Sequence, residues 1–167
     1  SDTAMEWYVR SGTMASLQPL KQRVIACLES GATACGCTMS HQWLDNPYAD
    51  MIDNGPMVQA YTANAGRVGR TVLDPVTSGR RVVGSTDMGN ISYLVPSIHP
   101  MIKVAPDGVP IHSVEFARWA GSEEGDKAVL DGAKAMAMTV IDLWCSPGVL
   151  DQAQAAFATR PSGVEVL

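Results

Sequence analysis

Two polar segments stand out from an otherwise apolar chain. The first is Gly84-Ser85-Thr86-Asp87-Met88-Gly89-Asn90-Ile91-Ser92. It follows Arg81-Val82-Val83-Gly84, a short run of the kind found in buried strands. Ligands in α/β folds gather at strand carboxyl ends, where hydroxyls, amides and a carboxylate can line a pocket. The same residues are also ordinary turn formers, and chemistry alone divides the two readings evenly. The second segment is Ile111-His112-Ser113-Val114-Glu115-Phe116. A neutral imidazole is a common metal ligand, and a neighbouring hydroxyl or carboxylate can fix its tautomer. One histidine in isolation is more often structural than ligating.

Other reactive side chains weigh less. Cys27, Cys35, Cys37 and Cys145 are too few for a disulfide scaffold. Cys35-Gly36-Cys37 lacks the two-residue spacer of redox and zinc motifs, so buried structural thiols are expected. Glu123-Glu124 opens a predicted helix and suits its dipole. His41 sits in a strand-like stretch and is expected in solvent. Asn54 reads as a helix cap.

The elements that must position these groups follow from periodicity and punctuation. Residues 5–10 and about 37–44 read as strands, rich in aromatic and β-branched types. Between them Leu17, Leu20, Val24, Cys27 and Leu28 recur at helical spacing. Ser16 is the expected cap, Pro19 the first-turn residue and Gly31 the stop. Asp45-Asn46-Pro47 is a turn signal and the candidate boundary between units 1–46 and 47–167. Asn54 should cap a helix reaching about Val68. Tyr93–Val95 and Ile98–Val104 read as extended. The longest helix is expected from Glu123 to about Trp144, burying Ala133, Met136, Ala137, Val140, Ile141 and Trp144. A short helix over about Val149–Phe157 closes the chain. The predicted class is α/β.

Composition narrows the function. The 167 residues fit one domain or pieces of two, and the charged fraction is a low 17%. A net charge of -5 without a basic run argues against nucleic-acid binding. No apolar stretch reaches the length of a membrane span. Reduced thiols favour a cytoplasmic setting. Ser1-Asp2-Thr3 runs straight into Met5–Arg10 with no initiator Met or signal peptide, which predicts a piece of something longer.

The order Gly-Ser-Thr-Asp-Met-Gly-Asn-Ile-Ser, Val-Pro-Ser-Ile-His-Pro at 95–100 and His112-Ser113 with Phe116 resembles the C-terminal half of zinc-type amidohydrolases of the aminoacylase and carboxypeptidase kind, peptidase family M-20. Within it the chain looks most like the branch of the p-aminobenzoyl-glutamate hydrolases and related dipeptidase-like amidohydrolases. The resemblance runs from Trp7 to about Leu150. It implies the C-terminal portion of an α/β catalytic domain over 47–167, preceded by the closing strand–helix–strand of a ferredoxin-like lid and dimerisation domain over 1–46.

The resemblance also implies site roles. His112 matches the last metal ligand. Arg10 matches a lid arginine that grips the substrate carboxylate, a task suited to the two parallel bonds of a guanidinium. Ser85, Thr86, Asp87 and Asn90 match a loop beside the metals, and His99 lines the same region. The complete enzyme would hold two divalent ions, zinc or else manganese or cobalt. It would hydrolyse a small carboxylate-bearing amide, such as an N-acyl amino acid or dipeptide, as a homodimer joined through the lid. The general base and remaining ligands are expected before Ser1, so this chain alone should hold no metal and be inactive. The rival expectation is a non-catalytic module for oligomerisation or carboxylate binding.

Overall fold

The computed structural model describes residues 2–44, 47–74, 78 and 86–161. Six helices occupy them: α1 (Met14–Ala34), α2 (Gly55–Arg67), α3 (Met88–Leu94), α4 (Val114–Ala120), α5 (Glu123–Cys145) and α6 (Val149–Ala158). No strand occurs among the described residues, which overturns the α/β expectation for them. Residues 5–10, 37–44 and 98–104 carry strand-like side chains but form no ladder. A strand exists only against a neighbour that takes its backbone hydrogen bonds, and the described chain supplies none to these stretches. The expected strand at 81–84 lies outside the described residues.

Helix ends follow local chemistry. Thr13, not Ser16, caps α1. Its hydroxyl accepts from the Ser16 amide at 3.2 Å, while the Ser16 hydroxyl accepts from the Thr13 amide at 3.3 Å. This reciprocal box starts α1 three residues earlier than expected and leaves Pro19 inside the helix. Gly31 does not stop it, and α1 runs on to Ala34. Asn54 caps α2 through the Met57 amide at 3.3 Å, as anticipated. Ser122 caps α5 through the Gly125 amide, and three acids in the first turn complement the dipole. The segment read as extended at Tyr93–Val95 instead ends α3, with Val95 as its cap.

Two small cores result. In one, Met14 and Leu17 of α1 meet Ala49 and Tyr93, with Val9 and Ile52 packed beside them. In the other, Tyr61 and Ala65 of α2 meet Ala135 of α5, flanked by Val68 and Ile98. Helix α5 is the hub, touching α2, α4 and α6.

The face by which α5 does so is a correction. It buries Gly125, Ala128, Asp131, Ala135 and Thr139. The residues expected inside, Ala133, Met136, Ala137, Val140, Ile141 and Trp144, are not fully buried, and Met136, Val140, Ile141 and Trp144 stand out in solvent. The inner polar groups are satisfied, which is what makes this orientation stable. Asp131 pairs with Arg70 at 2.8 Å and with Lys127. The Asn64 amide of α2 donates to Asp142 at 2.7 Å and to Thr139 at 3.3 Å, and Arg67 donates to Asn64 at 3.2 Å. The hydrogen bond from Lys127 and the pairing with Arg70 hold the Asp131 carboxyl below its usual range, against desolvation. The depressed pKa means this pairing stabilises the fold above the ordinary carboxylate range and is lost as pH falls through the folded value. Acid unfolding followed by circular dichroism should therefore shift in Asp131→Asn, which loses part of its pH dependence below about pH 4.

The four thiols are corrected as well: Cys27, Cys35, Cys37 and Cys145 are free and exposed, not buried.

Candidate functional site

The loop from Ala105 to Ser113 leads into α4, and His112 is its most unusual residue. It has φ 61°, the only positive-φ residue other than glycine among the described residues. A non-glycine side chain there crowds the backbone, so surrounding structure must hold it in place. Gly108 lets the preceding loop turn, at φ 91°, and Ser113 supplies the hold. Ser113, immediately after the histidine, caps α4 by accepting from the Phe116 amide at 3.1 Å and donates to the Pro110 carbonyl at 2.7 Å. The imidazole is exposed, and Ile111 and Val114 nearby in the chain are exposed too. It is thus presented outward on a turn held by Ser113.

The other predicted residues are distributed differently. Arg10 is exposed, with its guanidinium 5.9 Å from the Tyr8 ring. Ser85 lies outside the described residues. Thr86 accepts from the Met88 amide at 3.3 Å, and Asp87 is exposed at the start of α3. Asn90 is buried, and both ends of its amide are engaged: it accepts from the Ala49 amide at 3.0 Å and donates to the Pro47 carbonyl at 3.1 Å. Those bonds fasten α3 to the chain at 47–49. His99 is exposed beside a cleft of about 220 Å³ lined by Asp53, Asn54, Ser97, Phe157 and Arg160 among others. Desolvation raises the Asp53 carboxyl, and the charge of His99 partly offsets this. No group of three His, Cys, Asp or Glu side chains able to hold a metal occurs among the described residues. Catalytic zinc takes three protein ligands, and the described residues do not assemble such a set.

Sequence reasoning missed the best-built polar contact nearby. Asp50 accepts from the Met14 amide at 2.8 Å and from the Tyr93 hydroxyl at 3.1 Å, tying α1 and α3 to one carboxylate. Its partners lie 36 and 43 residues away, so no local spacing announces it. Burial, the hydrogen bond to Asp50 and the Asp50 charge push the Tyr93 hydroxyl up to about 12. A raised folded pKa contributes stability below the unfolded value near 10, which is lost as pH rises toward 12. Alkaline unfolding between those values should be blunted in Tyr93→Phe; equal slopes would contradict the assignment. The Arg160 side chain completes the anchor, donating to the Tyr93 carbonyl at 2.8 Å and lying 3.8 Å over the Phe157 ring.

No protein-family model matches the chain. Among curated proteins it is similar to the Xaa-Arg dipeptidase of Mus musculus, 33% identical over 162 residues, which is 96% of this chain and 37% of that protein. It is also similar to the Xaa-Arg dipeptidase of Homo sapiens, 32% identical over 145 residues, 87% of this chain and 33% of that protein. The chain therefore spans about a third of the length of the curated relatives it matches. These relatives support a place among peptidases and amidohydrolases, but not the p-aminobenzoyl-glutamate hydrolase branch in particular.

Proposed function

We propose that this chain is part of a metal-dependent amidohydrolase that cleaves an amide bond beside a carboxylate, and that His112 supplies one metal ligand. The observation that carries the reading is the left-handed, exposed His112, held by the Ser113 cap that follows it. Strained side chains of this kind cluster at sites where position matters more than stability. Similarity to two dipeptidases over most of the chain supports the reaction class. Bound divalent ions would lower the pKa of water and polarise the scissile carbonyl. Within this chain, His112 would hold a metal through one ring nitrogen. Arg10, on a separate exposed segment, would pair with the substrate carboxylate. Thr86 and Asp87 would form a wall, while Asn90 keeps that wall attached to residues 47–49.

The remaining ligands and the general base would come from outside residues 1–167, so the chain alone would be inactive. The test is an assay of the complete protein on dipeptides ending in arginine and on N-acyl amino acids. Hydrolysis should vanish with a chelator and return with zinc, manganese or cobalt. Hydrolysis indifferent to chelation would overturn the metal role, and a metal-loaded protein inert on both substrate sets would overturn the reaction class.

A further inference from the structure

Cys35 and Cys37 are reactive side chains that the hydrolytic reading leaves unused. Both thiols are free and exposed, and both belong to the turn that ends α1. Cys35 is the C-cap, and Gly36 after it takes φ 67°, the left-handed backbone that glycine adopts freely. The Gly36 amide donates to the Thr33 carbonyl at 3.0 Å, and the Cys37 amide donates to the Ala32 carbonyl at 2.9 Å. These two bonds make a Schellman motif, which fixes the backbone on either side of Gly36. The α-carbons flanking a residue in helical or mirror-helical backbone lie about 5.4 Å apart. A disulfide requires roughly 4.4–6.8 Å between them. The Cys37 thiol is already folded back over Cys35, donating to its carbonyl oxygen at 3.6 Å. The other thiols do not compete. Cys27 lies on the same helix, about 12 Å before Cys35 along its axis. Cys145 ends α5, and α1 and α5 make no contact among the described residues.

We propose that Cys35 and Cys37 form a redox modification site, a dithiol that a small disulfide such as glutathione disulfide converts to an intrachain disulfide across Gly36. The thiolate of one cysteine attacks a sulfur of glutathione disulfide. That S–S bond breaks, a mixed disulfide forms and one glutathione thiolate leaves. The thiolate of the second cysteine then attacks the protein sulfur of the mixed disulfide and expels the other glutathione. Two protein thiols are thereby oxidised, glutathione disulfide is reduced to two thiols, and the protons given up by the cysteines end on them. No acidic or basic residue lies between Glu29 and Asp45, so the sequence neighbours neither repel nor retain a charged co-reactant. The ring is short and exposed, the kind of disulfide that excess thiol reopens. The inference stands apart from the hydrolytic reading, because neither His112 nor Arg10 takes part in it.

The experiment incubates the reduced, complete protein with glutathione disulfide, alkylates the remaining thiols and maps the peptides by mass spectrometry. The expected result is a peptide holding Cys35 and Cys37 that has lost two hydrogen atoms and resists alkylation at both, with Cys27 and Cys145 bonded to neither. Dithiothreitol should restore both thiols. Cys35→Ser and Cys37→Ser should each stop at a mixed disulfide with glutathione on the cysteine that remains. In urea, which removes the turn, the ratio of ring to mixed disulfide should fall about fivefold or more, since closure must then fix a residue that the turn already holds. Any one of four results would overturn the proposal: thiols at 35 and 37 that resist alkylation in the reduced protein, separate glutathione adducts on both, a bond from either to Cys27 or Cys145, or a ratio that urea leaves unchanged.

Discussion

Replacing His112 with glycine in the complete protein should abolish amide hydrolysis while leaving the fold intact or slightly more stable. The expectation rests on φ 61° at this position. Glycine adopts that backbone freely, whereas for a residue with a β-carbon it costs about 1 kcal/mol. A histidine kept only for structure would be improved upon by glycine, with activity untouched. A histidine kept as a ligand would lose activity in the glycine variant, while the same backbone relief leaves stability equal or higher. Loss of partners one shell outside a metal lowers affinity or activity by about 10–100-fold, so loss of the ligand itself should exceed roughly 100-fold in kcat/KM. His112→Ala should lose activity to the same degree but gain no stability. The measurements are kcat/KM, metal content of the dialysed protein and a urea midpoint. Unchanged kcat/KM in the glycine variant would remove His112 from the site.

The largest expected loss of stability comes from Gly89→Ala. A β-carbon at residue 89 would sit 1.9 Å from the Ala49 carbonyl oxygen and 2.7 Å from its carbon. Both are backbone atoms, so no side chain can swing aside. Relief requires α3 to move away from residues 47–50. That movement breaks the two Asn90 bonds to Pro47 and Ala49, and the bond from the Ile52 amide to the Ser92 hydroxyl at 2.9 Å. It also pulls Tyr93 from Asp50 and from the core formed with Met14 and Leu17. Overpacking costs about 1–3 kcal/mol, and each broken buried hydrogen bond adds about 1 kcal/mol, so a loss above about 3 kcal/mol is expected. Urea unfolding monitored by circular dichroism checks it. A loss below about 1 kcal/mol would mean that α3 does not rest on Ala49. Gly125→Ala is a companion case, since its β-carbon would lie 2.3 Å from the Ala120 carbonyl oxygen.

Helix boundaries are legible in the sequence where a cap decides them. Asn54 marks the start of α2, and the acidic pair at 123–124 marks the start of α5. The apolar pattern of α5 also marks it as a helix, but it misassigns the side that faces the other helices. Counting apolar residues assigns the Met136 and Trp144 side to the interior. That step assumes a single interior and ignores how well Asp131, Thr139 and Asn64 are satisfied. The strand expectations failed for a related reason. Trp7, Tyr8 and Val9 have the composition of a strand, but pairing is a property of two segments, and no described segment pairs with them. Within the candidate site, resemblance singles out His112 as a candidate, while nothing in the sequence announces its left-handed backbone. Asp50 was illegible because its role is made by distant partners.

The polar contacts that hold α5 have a mechanical consequence. Apolar helix faces slide past one another with little penalty, because one methyl contact resembles the next. Asn64 cannot shift by a turn without losing both Asp142 and Thr139, and Arg70, just beyond α2, cannot do so without losing Asp131. The pair behaves like two toothed racks with the teeth engaged at fixed points. Helix α4 rides on α5 and begins one residue after His112, at the Ser113 cap. The height of the His112 turn along the helical bundle is therefore set by an amide and two carboxylates elsewhere on the α2–α5 contact, and trimming those groups would detune it from a distance.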